Sequence, residues 1–184
     1  FAGMPCVFVR LTYCNIRCTW CDTQYAFYEG KTITLDEIVA AVEAFGCRRV
    51  EITGGEPLFQ PEVHPLMKRL CDSGYEVLLE TGGSLDISQV DPRVRRIVDF
   101  KCPSSGMEKK NLWKNAERLT DRDEVKFVNG DREDYEWSKR KISEHGIAGR
   151  SPILMSVVFG KLEPVVLSEW ILEDKLDVRF QLQM

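Results

Sequence analysis

The chain has 184 residues, is 43% hydrophobic and carries 25 Lys and Arg against 29 Asp and Glu, a formal charge of −4. That length and apolar content suffice for one sizeable core and require no second domain, and no Lys/Arg cluster supplies the electrostatic footprint of a nucleic-acid binder. No apolar run approaches membrane-spanning length, and the start at Phe1 has neither the basic head nor the apolar middle of a signal peptide, which points to a soluble cytoplasmic protein with no membrane partner.

In chain order, Cys6 to Leu11 reads as a strand that runs into a loop carrying Cys14, Cys18 and Cys21, a CxxxCxxC run. Thr34-Leu35-Asp36-Glu37 is a capping box that opens an amphipathic helix to about Phe45, ended by Gly46. A strand from Arg49 to Thr53 leads into Gly54-Gly55-Glu56-Pro57, then a helix from Glu62 to Ser73 closed by Gly74, then a strand from Glu76 to Glu80. The pattern continues with a strand from Arg96 to Lys101, a helix from Lys109 to Leu119, a strand from Glu124 to Val128 and a charged helix from Asp131 to His145. Strands from Ile153 to Val158 and Val178 to Leu182 flank a helix from Leu167 to Asp174. The densest charge run, Asp131 to Lys141, reads as a solvated helix face.

Short apolar strands separated by helices predict βαβ units and an α/β fold, here a partial, open β/α barrel of six to seven mainly parallel strands with helices outside. One domain over residues 1–184 is expected, with its chemistry on the loops at the strands' C-terminal ends. The start at Phe1, without a methionine and directly before a strand, leads us to expect further residues beyond both ends.

Seven cysteines are an odd number, and three of them crowd into one short loop, so reduced thiols fit better than a disulfide framework. Cys6, Cys47, Cys71 and Cys102 stand singly and read as small buried hydrophobes. Three thiolates in one loop would leave one iron of a four-iron cube open to a small molecule. Structural zinc closes with four protein ligands, and His64 and His145 are far off in sequence. The glycines of Gly54 to Pro57 can let main chain approach a ligand, and the Glu56 carboxylate can accept from an ammonium group, though such residues at a strand end also make an ordinary turn. Three further strand ends, Glu80 to Ser84, Asp99 to Gly106 and Ser156 to Gly160, offer polar groups for a ribose and an adenine, with Glu80, Ser104 and Ser105 as candidates.

The segment CNIRCTWCDT resembles the cluster loop of the radical SAM superfamily, and GGEP is similar to that superfamily's second motif. The resemblance implies a [4Fe-4S] cluster on Cys14, Cys18 and Cys21 whose fourth iron is chelated by S-adenosylmethionine, the source of a 5′-deoxyadenosyl radical. Phe8 to Thr12 ahead of that loop, TGGEPL with Gln60, ETGGS, DFKCPSSG, Val125 to Val128 with Asp131 and Arg132, and Arg179 to Gln183 are together similar to the 7-carboxy-7-deazaguanine synthase family. Its members rearrange 6-carboxy-5,6,7,8-tetrahydropterin into 7-carboxy-7-deazaguanine with loss of ammonia, on the way to queuosine and related deazapurines, and need Mg2+. The family resemblance further implies a homodimer and an external electron donor of the flavodoxin or ferredoxin type.

Carried over to this chain, Arg10 matches the partner of the substrate carboxylate, which suits a guanidinium fork, and Thr53 matches a second substrate contact. Thr23 matches the magnesium ligand, with substrate oxygens and water completing the octahedron. Trp20 and Asp22 flank Cys21 where the family's cofactor lies. Tyr13 departs from the pattern, standing where the family commonly has glycine and adding bulk beside the cluster. A preceding segment with a glutamine and a glutamate for the pterin, and a terminal His with an aromatic tail, are expected outside these residues.

Two other readings of the cysteines differ in what they require. A glycyl-radical activase needs a docking surface for its partner protein. A non-catalytic electron carrier would have its cluster fully ligated by protein, for which Cys102 is the cysteine to examine.

Overall fold

Val7, Val9 and Leu11 alternate with Phe8 and Arg10, and β1 (Val7–Leu11) forms over them, with Val7 and Val9 buried and Phe8 and Arg10 exposed. The structure is a computed structural model and describes residues 3–182. The chain folds into two units, between which it passes after Asn15, Cys21, Thr81, Asp86 and Arg96.

The first unit comprises Phe1–Asn15, Asp22–Thr81 and Ile87–Arg96. In it β1 pairs in parallel with β2 (Arg49–Gly54), from Val7 opposite Val50 to Leu11 opposite Gly54, and β2 pairs in parallel with β3 (Glu76–Thr81). Parallel neighbours need long crossovers, and helices supply them. α1 (Leu35–Ala44) starts at the expected capping box: Thr34 Oγ1 accepts from the Glu37 N–H at 3.2 Å, and the Glu37 carboxylate accepts from the Thr34 N–H at 2.8 Å. α2 (Val63–Asp72) packs on β3 and buries Leu66, Met67 and Leu70, in a core that includes Val50, Ile52, Val77 and Leu79.

The second unit comprises Ile16–Cys21, Gly82–Asp86 and Ile97–Met184. Ile97 to Asp99 of β4 (Arg95–Asp99) pair in parallel with β5 (Glu124–Asn129), β5 with β6 (Ile153–Val157) and β6 with β7 (Arg179–Phe180). α3 (Arg132–Glu144) follows β5 and α4 (Pro164–Glu173) follows β6. α4 begins three residues before the expected Leu167, because Pro164 at its first turn is pre-set for helical φ and lacks only an N–H that has no helical acceptor there. Among the described residues no helix is long and apolar enough to cross a membrane.

Three expectations are corrected. The helix read over Lys109 to Leu119 is two 3-10 turns, Glu108–Lys110 and Trp113–Arg118. Asn111 breaks it: its side chain accepts from the Lys101 N–H at 2.8 Å and donates to the Lys101 carbonyl at 2.9 Å, while the Leu112 N–H goes to the Gly83 carbonyl at 2.9 Å. The charged helix is not a wholly solvated face, since Asp134, Tyr135, Trp137, Ser138 and Ile142 are buried along α3. The last strand, read over Val178 to Leu182, is shortened to Arg179–Phe180, with one further bond from the Gln181 N–H to the Met155 carbonyl at 2.9 Å, and Gln183 lies outside the described residues.

Asn111→Ala removes both bonds to Lys101 and is expected to cost about 1 to 3 kcal/mol, read as a lowered denaturation midpoint at unchanged slope.

Candidate active site

β1 delivers the chain into the loop of Cys14, and the residues around this junction depend on neighbouring loops for hydrogen-bond partners. Three consecutive carbonyls find them on the segment after β2. The Leu11 carbonyl accepts from the Gly55 N–H at 2.9 Å, that of Thr12 from Gln60 Nε2 at 2.7 Å and that of Tyr13 from the Glu56 N–H at 2.8 Å. So close an approach leaves no room for side chains. A Cβ on Gly54 would be driven into the Leu11 carbonyl, and one on Gly55 into the Tyr13 carbonyl and to 3.2 Å from Cys14 Cβ. These glycines therefore serve first to seat one loop upon another.

Tyr13 itself has φ 66, in the left-handed region, which costs a residue with a Cβ about 1 to 2 kcal/mol. Its N–H donates to the Ala26 carbonyl at 2.7 Å, so both main-chain groups of the turn are fixed. The expected bulk beside the cluster is not what makes this position unusual. The backbone here suits glycine, and the tyrosine side chain is 59% exposed.

Register places Arg10 opposite Thr53, and Thr53 Oγ1 donates to Glu80 Oε2 at 3.3 Å. Arg10, Thr53 and Glu80, three of the expected site residues, thus form a polar row across the C-terminal ends of β1, β2 and β3. Glu56 turns the other way. It is wholly buried, with Thr81 Oγ1 at 2.8 and 2.9 Å from its two carboxylate oxygens and the Leu58 N–H donating at 3.1 Å. Its carboxylate is thus hydrogen-bonded inside the fold. Asp22 is exposed, and Thr23 opens a 3-10 turn, Gln24–Phe27, through its carbonyl while its side chain leaves that turn uncapped.

In the second unit the segment Ile16–Cys21 is fastened to the turn after β4. The Arg17 N–H donates to Met107 Sδ at 3.3 Å, the Thr19 N–H to the Ser105 carbonyl at 3.0 Å, Thr19 Oγ1 to the Ser104 carbonyl at 2.7 Å and Trp20 Nε1 to Ser104 Oγ at 3.1 Å. Ser104 Oγ in turn donates to Asp134, and Ser105 Oγ donates to the Cys102 carbonyl and accepts from the Met107 N–H at 3.0 Å. The Ser104 and Ser105 hydroxyls and the Trp20 indole are therefore each hydrogen-bonded within the protein. Other groups remain: Ser156 Oγ, Asp99 Oδ1 and Gln181 Oε1 are buried without a hydrogen-bond partner. Asp99 lies opposite Lys126 and Lys126 opposite Leu154, so alternation puts Asp99, Ser156 and Gln181 on one face of this unit's sheet.

No disulfide joins any of the seven cysteines, and Cys14, Cys18 and Cys21 are half-buried. Cys102 is wholly buried, its sulfur 3.4 Å from Ser138 Oγ on α3, and burial pushes its thiol well above the ordinary range. A thiol so placed is inert, which removes the one feature that would have favoured a fully protein-ligated electron carrier. Cys6, Cys47 and Cys71 are half-buried rather than buried, and desolvation raises Cys6, to about 11, and Cys71.

Among the described residues no three His, Cys, Asp or Glu side chains gather as a single-ion site. A multi-iron cluster gives each thiolate its own iron and needs no such gathering. Three thiols in a loop fastened by hydrogen bonds on both sides of its turn fit that group. Two residues escaped the sequence reading. Thr81, quoted only as part of ETGGS, anchors Glu56. Asp134 was hidden in a charge run, and the Asp131-x-x-Asp134 spacing marks a helix start without indicating what the second carboxylate would hold.

The profile of the Radical SAM superfamily matches residues 9–104. A Chlorobaculum tepidum protein named 7-carboxy-7-deazaguanine synthase is 49% identical over 100% of this chain and 85% of its own length, and a Koribacter versatilis protein of the same name is 44% identical over 100% of this chain and 88% of its own. The crystal structure of QueE from Escherichia coli covers 100% of this chain and 87% of its own with a TM-score of 0.79 at 23% identity, which shows a shared fold.

The Tyr13 conformation makes opposite demands on two variants. Tyr13→Val, β-branched in a left-handed position, is expected to lower stability by about 1 to 2 kcal/mol, whereas Tyr13→Gly holds or raises the thermal midpoint; scanning calorimetry on the purified proteins reads both.

Proposed function

Because the chain belongs to the 7-carboxy-7-deazaguanine synthase family of the radical SAM superfamily, we propose that it converts 6-carboxy-5,6,7,8-tetrahydropterin into 7-carboxy-7-deazaguanine with release of ammonia. The observation that carries this reading is the first unit's strand ends, where the row Arg10, Thr53 and Glu80 lies beside a GGEP loop bonded to the residues leading into Cys14.

Cys14, Cys18 and Cys21 would hold the [4Fe-4S] cluster, and the main chain of Gly54 to Glu56, with Asp22 and Glu80, would hold S-adenosylmethionine. Together these groups supply reductive cleavage of a sulfonium and abstraction of a hydrogen atom from the substrate. The protein's own residues bind and orient. Arg10, exposed at the end of β1, presents five donors in a fork that matches the pterin carboxylate bidentately. Thr53, beside it in register, has its hydroxyl turned to Glu80 and so presents lone pairs to a substrate N–H. Ser104 and Ser105, with Trp20, are the proposed contacts for the nucleoside. Thr23 contributes one hydroxyl to Mg2+, with substrate oxygens and water filling the remaining positions. No side chain is required as general base, in keeping with a row that contains no histidine.

We propose a cytoplasmic location, with which seven free cysteines agree, a flavodoxin- or ferredoxin-type electron donor, and a homodimer by family likeness. Anaerobic incubation of the reconstituted protein with S-adenosylmethionine, reductant, Mg2+ and carboxytetrahydropterin is expected to yield carboxydeazaguanine. Cleavage of S-adenosylmethionine without that product would overturn the substrate. Arg10→Ala is expected to raise KM for the pterin about tenfold to a hundredfold, the loss of a charge-assisted pair, with a smaller effect on kcat.

A further inference from the structure

We propose that Asp134 is a positioning residue for the cluster loop: from the start of α3 it orients the Ser104 hydroxyl, and through it the Trp20 indole, so that the segment bearing Cys18 and Cys21 is set before any cluster forms. The proposal rests on the reading that these cysteines are cluster ligands. It needs nothing from the identity of the substrate.

Asp134 is wholly buried, and a buried carboxylate is tolerable only when donors satisfy it. Its donors come from two turns. The Ser104 N–H reaches Oδ1 at 2.9 Å, the Gly130 N–H reaches Oδ2 at 2.7 Å, and Ser104 Oγ donates to Oδ2 as well. Its own N–H is fixed by Asp131 at 2.9 Å, so the carboxylate is anchored to the helix start. The junction is tight enough to dictate a glycine, because a Cβ on Gly130 would lie 2.7 Å from Ser104 Oγ and 3.3 Å from Asp134 Oδ2.

The direction of the Ser104 hydroxyl follows from this arrangement. A carboxylate only accepts, so it draws the Ser104 proton toward α3 and leaves the oxygen lone pairs facing outward. The Trp20 indole N–H only donates, and it meets those lone pairs at 3.1 Å. Trp20 sits between Cys18 and Cys21, and Thr19 beside it makes two further bonds to Ser104 and Ser105. An isosteric amide at position 134 would place a donor where Ser104 or Gly130 also donates. Where that donor faces Ser104 Oγ, the hydroxyl loses its carboxylate acceptor, and its proton is no longer held away from Trp20.

The test uses two readouts that do not require turnover. In the cluster-free protein, exchange of the Trp20 indole N–H and the Thr19 amide is followed by NMR; Asp134→Asn and Ser104→Ala are expected to quicken it about tenfold or more. In the reconstituted protein, the same variants are expected to lose iron to a chelator several-fold faster. Tyr135→Phe serves as the control, since it removes bonds to the Trp170 carbonyl and Asp174 from the same helix without touching Ser104, and it should leave both rates at the wild-type value. Equal rates in Tyr135→Phe and Ser104→Ala overturn the proposal. So does faster exchange with wild-type iron loss, which would show that the loop's setting does not bear on the cluster. Should Asp134→Asn fail to fold, Ser104→Ala in the turn decides the matter. Because no pterin is present, a different substrate would leave these results standing.

Discussion

The three candidate ligands sit in eight residues that contain neither helix nor strand, and every other feature of the site follows from how that stretch satisfies its polar groups. A loop of this kind has no internal ladder, so its carbonyls and amides must be bonded from outside. On the side of Cys14 the donors come from Gly55, Glu56 and Gln60; on the side of Cys18 and Cys21 the acceptors come from Ser104, Ser105 and Met107. The glycine pair at 54 and 55 follows directly, because main chain can donate to Leu11 and Tyr13 only if no Cβ intervenes. So does the burial of Glu56, whose side chain must go somewhere once its N–H is fixed on Tyr13. It goes to Thr81, on the strand next door.

Much of this was legible from residues alone, and the parts that were not share a cause. Strand and helix order followed from apolar periodicity, the α1 start from the spacing of Thr34 and Glu37, and Glu80 was marked by its place at a strand end, whereas Arg10 and Thr53 were singled out by family resemblance. Sequence spacing could not show where a polar side chain points. Glu56, Ser104, Ser105 and Trp20 all carry groups that suit a ligand, and all turn out to bond other parts of the protein. Asn111 is the same lesson in secondary structure: a residue compatible with a helix is drawn out of it by two main-chain groups ten positions away. Tyr13 looked like a steric anomaly and is instead a conformational one, which only the sign of φ discloses.

The two units treat buried polarity differently, and the contrast bears on how their binding groups are divided. In the first, the row that ends β1 to β3 is internally paired at Thr53 and Glu80, leaving an exposed arginine beside it. Such a site prefers an anionic partner arriving from solvent, where a guanidinium loses little hydration while waiting. In the second, Asp99 Oδ1, Ser156 Oγ and Gln181 Oε1 are buried with no partner at all, an arrangement that costs stability until something bonds them.

That difference also explains why the inward-turned side chains are an asset to a radical enzyme. A reactive centre that abstracts hydrogen must be surrounded by groups that do not shift, and a side chain with one bond to spare is free to move toward any new partner. Glu56, Ser104, Ser105 and Trp20 have less such freedom: Glu56 is bonded to Thr81 on β3, Ser104 to Asp134 on α3, Ser105 to the Cys102 main chain and Trp20 to Ser104. On the proposed reading, ligand binding draws also on main chain and on side chains carried by strands, which are the parts of an α/β fold least able to move. Arg10, on a long exposed side chain, is the one flexible member. It is also the one assigned to capture, where reach matters more than rigidity.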